Sequence, residues 1–365
     1  MATETPARGE TMRVSTIELF FDLVFVFTIT QVTHLVAHVA TVWDLGRALL
    51  VLTLIWWMFS AYAWLTNSTR PGHVMRLIMF AAMGGFLLMA LAVPHVFGGG
   101  ALMFALTYLF VVVLHAAGFV VTGGRAALRG MLEVGPFNMG AGSLVLAAAF
   151  VDPAWSWTLF LAAVLLLVTA TLLRRERRFT LRPDHFAERH GAVVLIALGE
   201  SVVAIGSGAA ALTLDGHAAG AVLLSLALIA TLWWSYFDRD DERAEHAMRT
   251  LTAEARARVG VMGYWYSHLI MLTGIVLLAA ALKEIVAEGA HAPLWSAWVL
   301  ASGFACYLAG DVLFRWALGL RPLAYRGGAA LLAIATGVLG GLPELAGLAL
   351  LMAATLALEQ RRARV

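Results

Sequence analysis

Ile17-Glu18-Leu19-Phe20-Phe21-Asp22-Leu23-Val24-Phe25-Val26-Phe27 places two carboxylates four residues apart inside an otherwise apolar run. That spacing puts both acids on one face of a helix. The apolar character continues to residue 40, and about 20 such residues cross a hydrocarbon core roughly 30 Å thick. A charge near the middle of such a helix costs about 2.5–3.5 kcal/mol on insertion scales, so it faces a cavity or a partner rather than lipid. The acid-bearing face is therefore expected to look into a helix bundle. The rest of the chain agrees: 61% of its 365 residues are hydrophobic and 13% are charged, against about 25% charged in a soluble domain. Mean hydropathy is +0.84. The expected fold class is an all-α polytopic integral membrane protein, with the lipid bilayer as its first partner.

Composition also excludes several functions. A net charge of +2 gives no reason to expect nucleic acid as a partner. The single cysteine, Cys306, rules out a disulfide framework and a multi-cysteine metal site. Residues 1–16, MATETPARGETMRVST, lack the apolar core of a signal peptide, so the first span is expected to be retained. No phosphate-cradling GxxxxGK[ST], no HExxH and no nucleophile elbow occurs, and Gly199-Glu200-Ser201 has no base at a fixed spacing. An ATP-driven pump or zinc protease is not expected, and neither is a cofactor, a bound metal or a set of catalytic residues.

Twelve segments approach the length of a span: 17–40, 46–66, 75–97, 101–122, 134–151, 155–173, 190–212, 217–237, 260–282, 294–314, 323–340 and 342–358. The fifth, eleventh and twelfth are the shortest or the richest in glycine. Turn signals separate the spans, as at Asn67-Ser68-Thr69-Arg70-Pro71-Gly72, Gly98-Gly99-Gly100, Asp152-Pro153 and Gly341-Leu342-Pro343. With the N-terminus inside, this count puts 23 of the 25 Lys and Arg residues on the cytoplasmic side, leaving only Arg47 and Lys283 outside. Such alternation follows the positive-inside rule and places both termini in the cytoplasm. Trp43, Trp155, Trp157, Trp295 and Trp298 lie near span ends, as an aromatic belt does.

Two halves resemble each other. Span six ends LLLVTATLLRRERR and span twelve ends ALLMAATLALEQRR; Trp56-Trp57, Ser60 and Tyr62 of span two answer to Trp233-Trp234-Ser235-Tyr236 of span eight. Six spans per half is an even number, so the halves would be parallel repeats about an axis along the membrane normal. The organisation expected is a cytoplasmic tail (1–16), a first six-helix half (17–173), a basic cytoplasmic hinge (174–189), a second half (190–358) and a basic tail (359–365). Within the second half, 238–259 carries Ala244, Met248, Leu251 and Ala255 at helical spacing beneath a dense charge, which suggests one amphipathic helix on the membrane surface.

Depth ranks the polar residues inside the spans. Glu18 sits at the cytoplasmic rim, Asp22 roughly 7–8 Å in and Glu200 roughly 15 Å deep, at about 1.5 Å per residue. Early-turn acids also favour the positive end of the helix dipole, which suffices for Glu18 but is weaker for Asp22. Asp311 and Arg315, at i and i+4, read as a local salt bridge at the inner surface. His34 and His38 share one face near the outer end, where a polar wall is the plainer reading than a metal site. His115 and His268 occupy inner halves of their spans, as helix-to-helix hydrogen bonds or as proton relays.

The chain resembles the bacterial low temperature requirement protein A family at Glu18–Phe27. Two further stretches carry the likeness: Glu188-Arg189-His190-Gly191 leading to Ala197-Leu198-Gly199-Glu200-Ser201, and Tyr266-Ser267-His268-Leu269 before Gly274-Ile275-Val276-Leu277. The resemblance covers nearly the whole chain and implies a polytopic inner-membrane protein named for a growth phenotype in the cold. It carries no catalytic roles across, but its motifs add weight to Asp22, Glu188, His190, Glu200 and His268. A fainter likeness is to two-repeat, six-helix cation channels whose first span opens on Phe-Ser-Asp; Phe20-Phe21-Asp22 lacks the serine.

The leading functional expectation is a transporter or channel for a proton, small cation or small solute. Asp22 and Glu200 would bind the cargo, with Glu18, Glu188, His190, His34, His38, His115 and His268 as further binding or relay candidates. A homo-oligomer is compatible with this. One alternative is an intramembrane enzyme on lipid-linked substrates, with Glu188, His190 and Glu200 as acid and base, although roughly 18 Å of helix separates the two glutamates. The other is a non-catalytic scaffold or sensor for cold adaptation.

Overall fold

The first helix begins where Ser15 turns into it. Glu18, at the third helical position, accepts from the Ser15 backbone N–H at 2.9 Å and from its hydroxyl at 2.7 Å, a reciprocal cap that satisfies donors the helix start leaves open. The structure, a computed structural model, describes residues 14–39, 41–69, 72–173, 181–210, 212–213 and 215–363. Among these residues every regular element is helical, with fourteen α-helices and no strand. The chain opens with α1 (Thr16–Ala37), α2 (Val42–Ser68), α3 (His73–Ala92), α4 (Ala101–Thr122), α5 (Gly124–Ala148) and α6 (Pro153–Leu173). Then follow α7 (Pro183–Ala209), α8 (Gly216–Phe237), α9 (Asp240–Thr250), α10 (Ala253–Val259), α11 (Ser267–Glu288), α12 (Leu294–Ala317), α13 (Ala324–Thr336) and α14 (Gly341–Ala363). Caps mark further starts: Thr41 Oγ1 accepts from the Asp44 N–H and Asp215 from the Ala218 N–H.

Ten helices among the described residues are long and apolar enough to cross a membrane, not twelve. The fifth expected span is helical, but α5 carries Arg125, Arg129, Glu133 and Asn138, which lower its hydropathy. The eleventh shrinks to the 13 residues of α13, about 20 Å at 1.5 Å per residue, short of the roughly 20 residues of a full-length span. Helix α14 runs on to Ala363, so residues 359–363 of the expected tail continue the last span. The N-terminal tail lies outside the described residues up to position 13.

The expected hinge is also redrawn. Residues 174–180 lie outside the described residues, while Pro183 to Arg189 form the opening turns of α7. Pro183 at the first helical position and Asp184 beside it are the local cause, because proline needs no N–H there and an acid suits the helix start. The surface helix expected over 238–259 is two helices. Ala244 and Met248 are buried as their spacing suggests, but Thr252 accepts from the Ala255 N–H and starts α10, whose buried residue is Ala257 rather than Ala255. Helix α9 docks on α7 and α8 instead of lying free on the surface. Through a π turn over Gly260–Tyr266, α10 runs on into α11.

Packing sorts the helices by depth in the bundle. Helices α2 and α11 are buried nearly all round, whereas α6 and α14 show most of their surface outward, as helices apolar on every side do when they face lipid. Helix α1 packs on α3, α7 and α11, and α11 packs on α7 and α12. The α11–α12 approach depends on glycine: a Cβ on Gly274 would sit 2.5 Å from the Tyr307 nitrogen and 2.6 Å from the Gly303 oxygen. Gly310 meets the Met271 backbone nitrogen equally closely, at 2.7 Å. Small residues let two membrane helices approach backbone to backbone.

Candidate functional site

The acid-bearing face of α1 turns onto α7. Arg189 of α7 reaches between the two carboxylates: Nη1 donates to Glu18 Oε1 at 2.9 Å and Nη2 to Asp22 Oδ1 at 3.2 Å. Nη1 also donates to Thr66 Oγ1 of α2 at 2.6 Å. The guanidinium carbon lies 5.5 Å from the Phe21 ring centre and 5.6 Å from that of Phe59, close enough for attraction to the ring faces. Asp22 and Arg189 are wholly buried and Glu18 nearly so. A buried acid demands a paired base, and this explains why Glu18 and Asp22 share a helix face.

His185, one turn before Arg189, completes the cluster. Its Nδ1 faces Asn67 Nδ2 at 3.2 Å and its Nε2 lies 3.0 Å from Glu18 Oε1. An amide donor on Nδ1 fixes Nε2–H as the donor to the carboxylate. Asn67 is itself held by the α7 start, donating to the Arg182 carbonyl at 3.0 Å and accepting from the Arg182 N–H at 2.9 Å. With His185 in that neutral form, two carboxylates face one guanidinium. The surplus negative charge calls for a proton on one of these groups or for a cation, and Asp22 Oδ2 has no hydrogen-bond partner among the described residues.

Farther along the same seam, Glu200 of α7 is buried and meets the Thr30 hydroxyl of α1. Contacts from residues 18–30 of α1 to 185–200 of α7 therefore advance together, so the two helices run in the same direction side by side. Glu188 turns away from the cluster and accepts from the Val14 N–H at 3.0 Å in an exposed setting.

His190 follows Arg189 into the core. Its Nδ1–H donates to the Phe186 carbonyl at 2.9 Å, leaving a buried Nε2 with no partner among the described residues. Its ring centre lies 5.3 Å from that of His268. The π turn presents the Gly263 carbonyl to His268 Nδ1 at 3.2 Å, so His268 Nε2 accepts from the Tyr236 hydroxyl at 2.9 Å. Single π turns recur where a helix presents functional groups. His115 stands apart on α4, with Nε2–H donating to the Ala61 carbonyl of α2 at 3.1 Å. His34 and His38 lie at the opposite end of α1 from Glu18, their rings 4.3 Å apart, with His38 Nδ1–H donating to the His34 carbonyl at 2.7 Å.

The structure thus gathers Glu18 and Asp22 in one cluster, sets Glu200 on the same seam, and joins His190 with His268 nearby. His34, His38, His115 and Glu188 lie elsewhere. Arg189, His185, Thr66 and Asn67 were not among the expected site residues; Arg189 was counted with the loop arginines. The Pro183-Asp184 helix-start signal was the feature that could have revealed it, because it carries Arg189 onto the second turn of α7.

Asp311 and Arg315 form no ion pair with each other, contrary to expectation. Asp311 pairs with Arg326 at 2.6 Å, and Arg315 with Glu359 at 2.6 Å and Asp240 at 3.3 Å. Longer-range partners from α13, α14 and α9 converge on α12 and displace the local pairing.

The chain matches the family model described as bacterial low temperature requirement A protein over residues 13–359. It is also similar to uncharacterized protein RA0937 of Rhizobium meliloti (strain 1021), at 26% identity over 279 residues that span 72% of this chain and 67% of that one.

Proposed function

This chain belongs to the bacterial low temperature requirement A protein family, and on that premise we propose that it is an inner-membrane transporter or channel moving a proton or small cation along the α1–α7 seam. The observation that carries the reading is the alignment of Glu18, Asp22 and Glu200 on that one seam. The carboxylate cluster around Arg189 holds one acid more than its fixed base, and Glu200 lies about 16 Å farther along α7 than Arg189 by helix rise. Intramembrane acids that face a helix interface rather than lipid mark ion pathways.

Two parallel six-helix repeats are part of the proposal, with both termini in the cytoplasm. The order of neighbours supports it. Helix α1 packs on α3 as α7 does on α11; the successive pairs α3–α4, α4–α5 and α5–α6 have counterparts in α11–α12, α12–α13 and α13–α14; α2 meets α6 as α8 meets α14. The parallel course of α1 and α7, the leading helices of the two halves, supports entry from the same side. The enzyme alternative loses its geometry, because α7 is unbroken from Pro183 to Ala209 and keeps Glu188 and Glu200 about 18 Å apart.

The test is flux into proteoliposomes under imposed proton, sodium or potassium gradients, with wild type and Glu200→Gln compared. Flux in the wild type and its loss in a normally inserted variant supports the reading. No flux with any gradient, or equal flux in both proteins, overturns it.

A further inference from the structure

The second buried charge network forms the floor of a cleft that the transport reading leaves unused. Arg326 pairs with Asp311, with Glu359 at 3.1 Å and with Asp240 at 3.1 Å, while Arg315 joins Glu359 and Asp240 from the other side. All five side chains are buried or nearly so. Two guanidiniums and three carboxylates thus hold α9, α12, α13 and α14 together with little room for further partners.

Above this floor opens a cleft of about 680 Å³, within the usual size of a small-molecule site, roughly 300–1,000 Å³. Its rim is of one sign. Arg239, Arg243, Arg321 and Arg362 line it against Asp238 alone. Arg243 pairs with Asp240 at 3.2 Å and lends its other nitrogen to the Arg321 carbonyl at 3.3 Å. Arg321 and Arg362 have no carboxylate partner among the described residues. Counting Asp311 behind the floor, six arginines face four carboxylates, so the cleft keeps a positive surplus of two. Arginine forks suit phosphate oxygens in particular, because two parallel N–H groups match two oxygens.

One wall is apolar. Trp234 at the end of α8 and Leu356 of α14 line the cleft, and Trp233 and Trp234 are exposed on the bundle surface. Exposed tryptophan at a helix end marks the headgroup level of a bilayer. A ligand with a phosphate among the arginines and hydrocarbon along Trp234 would satisfy both walls.

We propose that this cleft binds a phosphate-bearing anion, with Arg321 and Arg362 as its uncommitted anchors and the Arg315–Arg326 network as its rigid floor. The phosphate arrives either as the headgroup of an anionic lipid or as a soluble phosphorylated compound. The purified full chain in neutral detergent is titrated separately with short-chain phosphatidylglycerol, short-chain phosphatidylcholine and pyrophosphate, reading the melting temperature. The same titrations are run on Arg321→Gln/Arg362→Gln and on the control Arg76→Gln.

A saturable rise with phosphatidylglycerol but not with phosphatidylcholine assigns the site to an anionic lipid; a rise with pyrophosphate alone assigns it to a soluble ligand. Either response should need about tenfold more ligand or greater in the double variant, since charge-assisted hydrogen bonds are lost, and should be unchanged in Arg76→Gln. No saturable response to either anion overturns the proposal. So does a response that the double variant retains in full, which would be diffuse surface attraction.

Discussion

Arg189 Nη2 stands 3.2 Å from Asp22 Oδ1, two buried side chains brought together across 167 residues of chain. This pair ties α1 to α7. Removing Arg189 leaves two buried carboxylates without their base, which costs about 3–5 kcal/mol, whereas removing Asp22 leaves Arg189 paired with Glu18. Arg189→Ala should therefore lower thermal stability sharply in detergent, and Asp22→Ala by clearly less. The double variant Asp22→Ala/Arg189→Ala should lose clearly less than the two single losses combined, as coupled neighbours do. Additive losses in a double-mutant cycle would show that the pair is not coupled.

The helix pair at the centre of the bundle makes a second prediction. Gly274→Ala drives a methyl group into the backbone of α12, where neither Tyr307 N nor Gly303 O can move aside independently. Overpacking of this kind costs about 1–3 kcal/mol or more. Gly199→Ala, with nothing within 4 Å of the added carbon, should be neutral or slightly stabilising by comparison. Melting temperatures of the two variants decide it, and equal shifts would contradict the close α11–α12 approach.

Docking of α9 can be tested by proteolysis. Asp240, buried at the start of α9, is the residue of that helix that reaches Arg315 and Arg326. Asp240→Asn should loosen α9 and speed cleavage at Arg243, Arg249 and Arg256 by trypsin, without preventing membrane insertion. A helix lying on lipid through Ala244 and Met248 alone would show the wild-type cleavage rate.

A fourth prediction concerns the core histidine. Tyr236→Phe removes the hydroxyl that donates to His268 Nε2 and leaves a buried acceptor open, a loss of about 1–3 kcal/mol. His268→Phe, which removes the polar group together with its need for a partner, should recover part of that loss in the Tyr236→Phe background. Chemical denaturation of the three proteins checks the order.

Much of the fold was legible because hydropathy is local. Ten of the twelve expected spans coincide with helices long and apolar enough to cross, and the two that do not are α5, diluted by its own charges, and the short α13. The partnerships were not legible. Asp311 and Arg315 sit at ideal helical spacing, yet each is taken by residues 15 to 75 positions away, because burial favours whichever arrangement satisfies most charges at once. Arg189 was hidden by a boundary: starting α7 at residue 190 instead of Pro183 left the arginine in a loop. The reason α1 carries acids at 18 and 22 lies on another helix, in Arg189 of α7, which no pattern within α1 records. Glu200 stood out from sequence by depth and by the Gly199-Glu200-Ser201 motif stretch, and its neighbour Thr30 emerges only when α1 and α7 are set side by side.

The path along the α1–α7 seam is tested most directly at Thr30, half-buried opposite Glu200. Thr30→Cys is placed in a Cys306→Ser background, so that the new thiol is the one cysteine in the chain. Ion flux in proteoliposomes is then measured before and after a small thiol reagent, with mass spectrometry confirming modification. The expected result is flux that falls on modification and returns when a reductant removes the adduct. Full modification with undiminished flux would contradict a path along this seam.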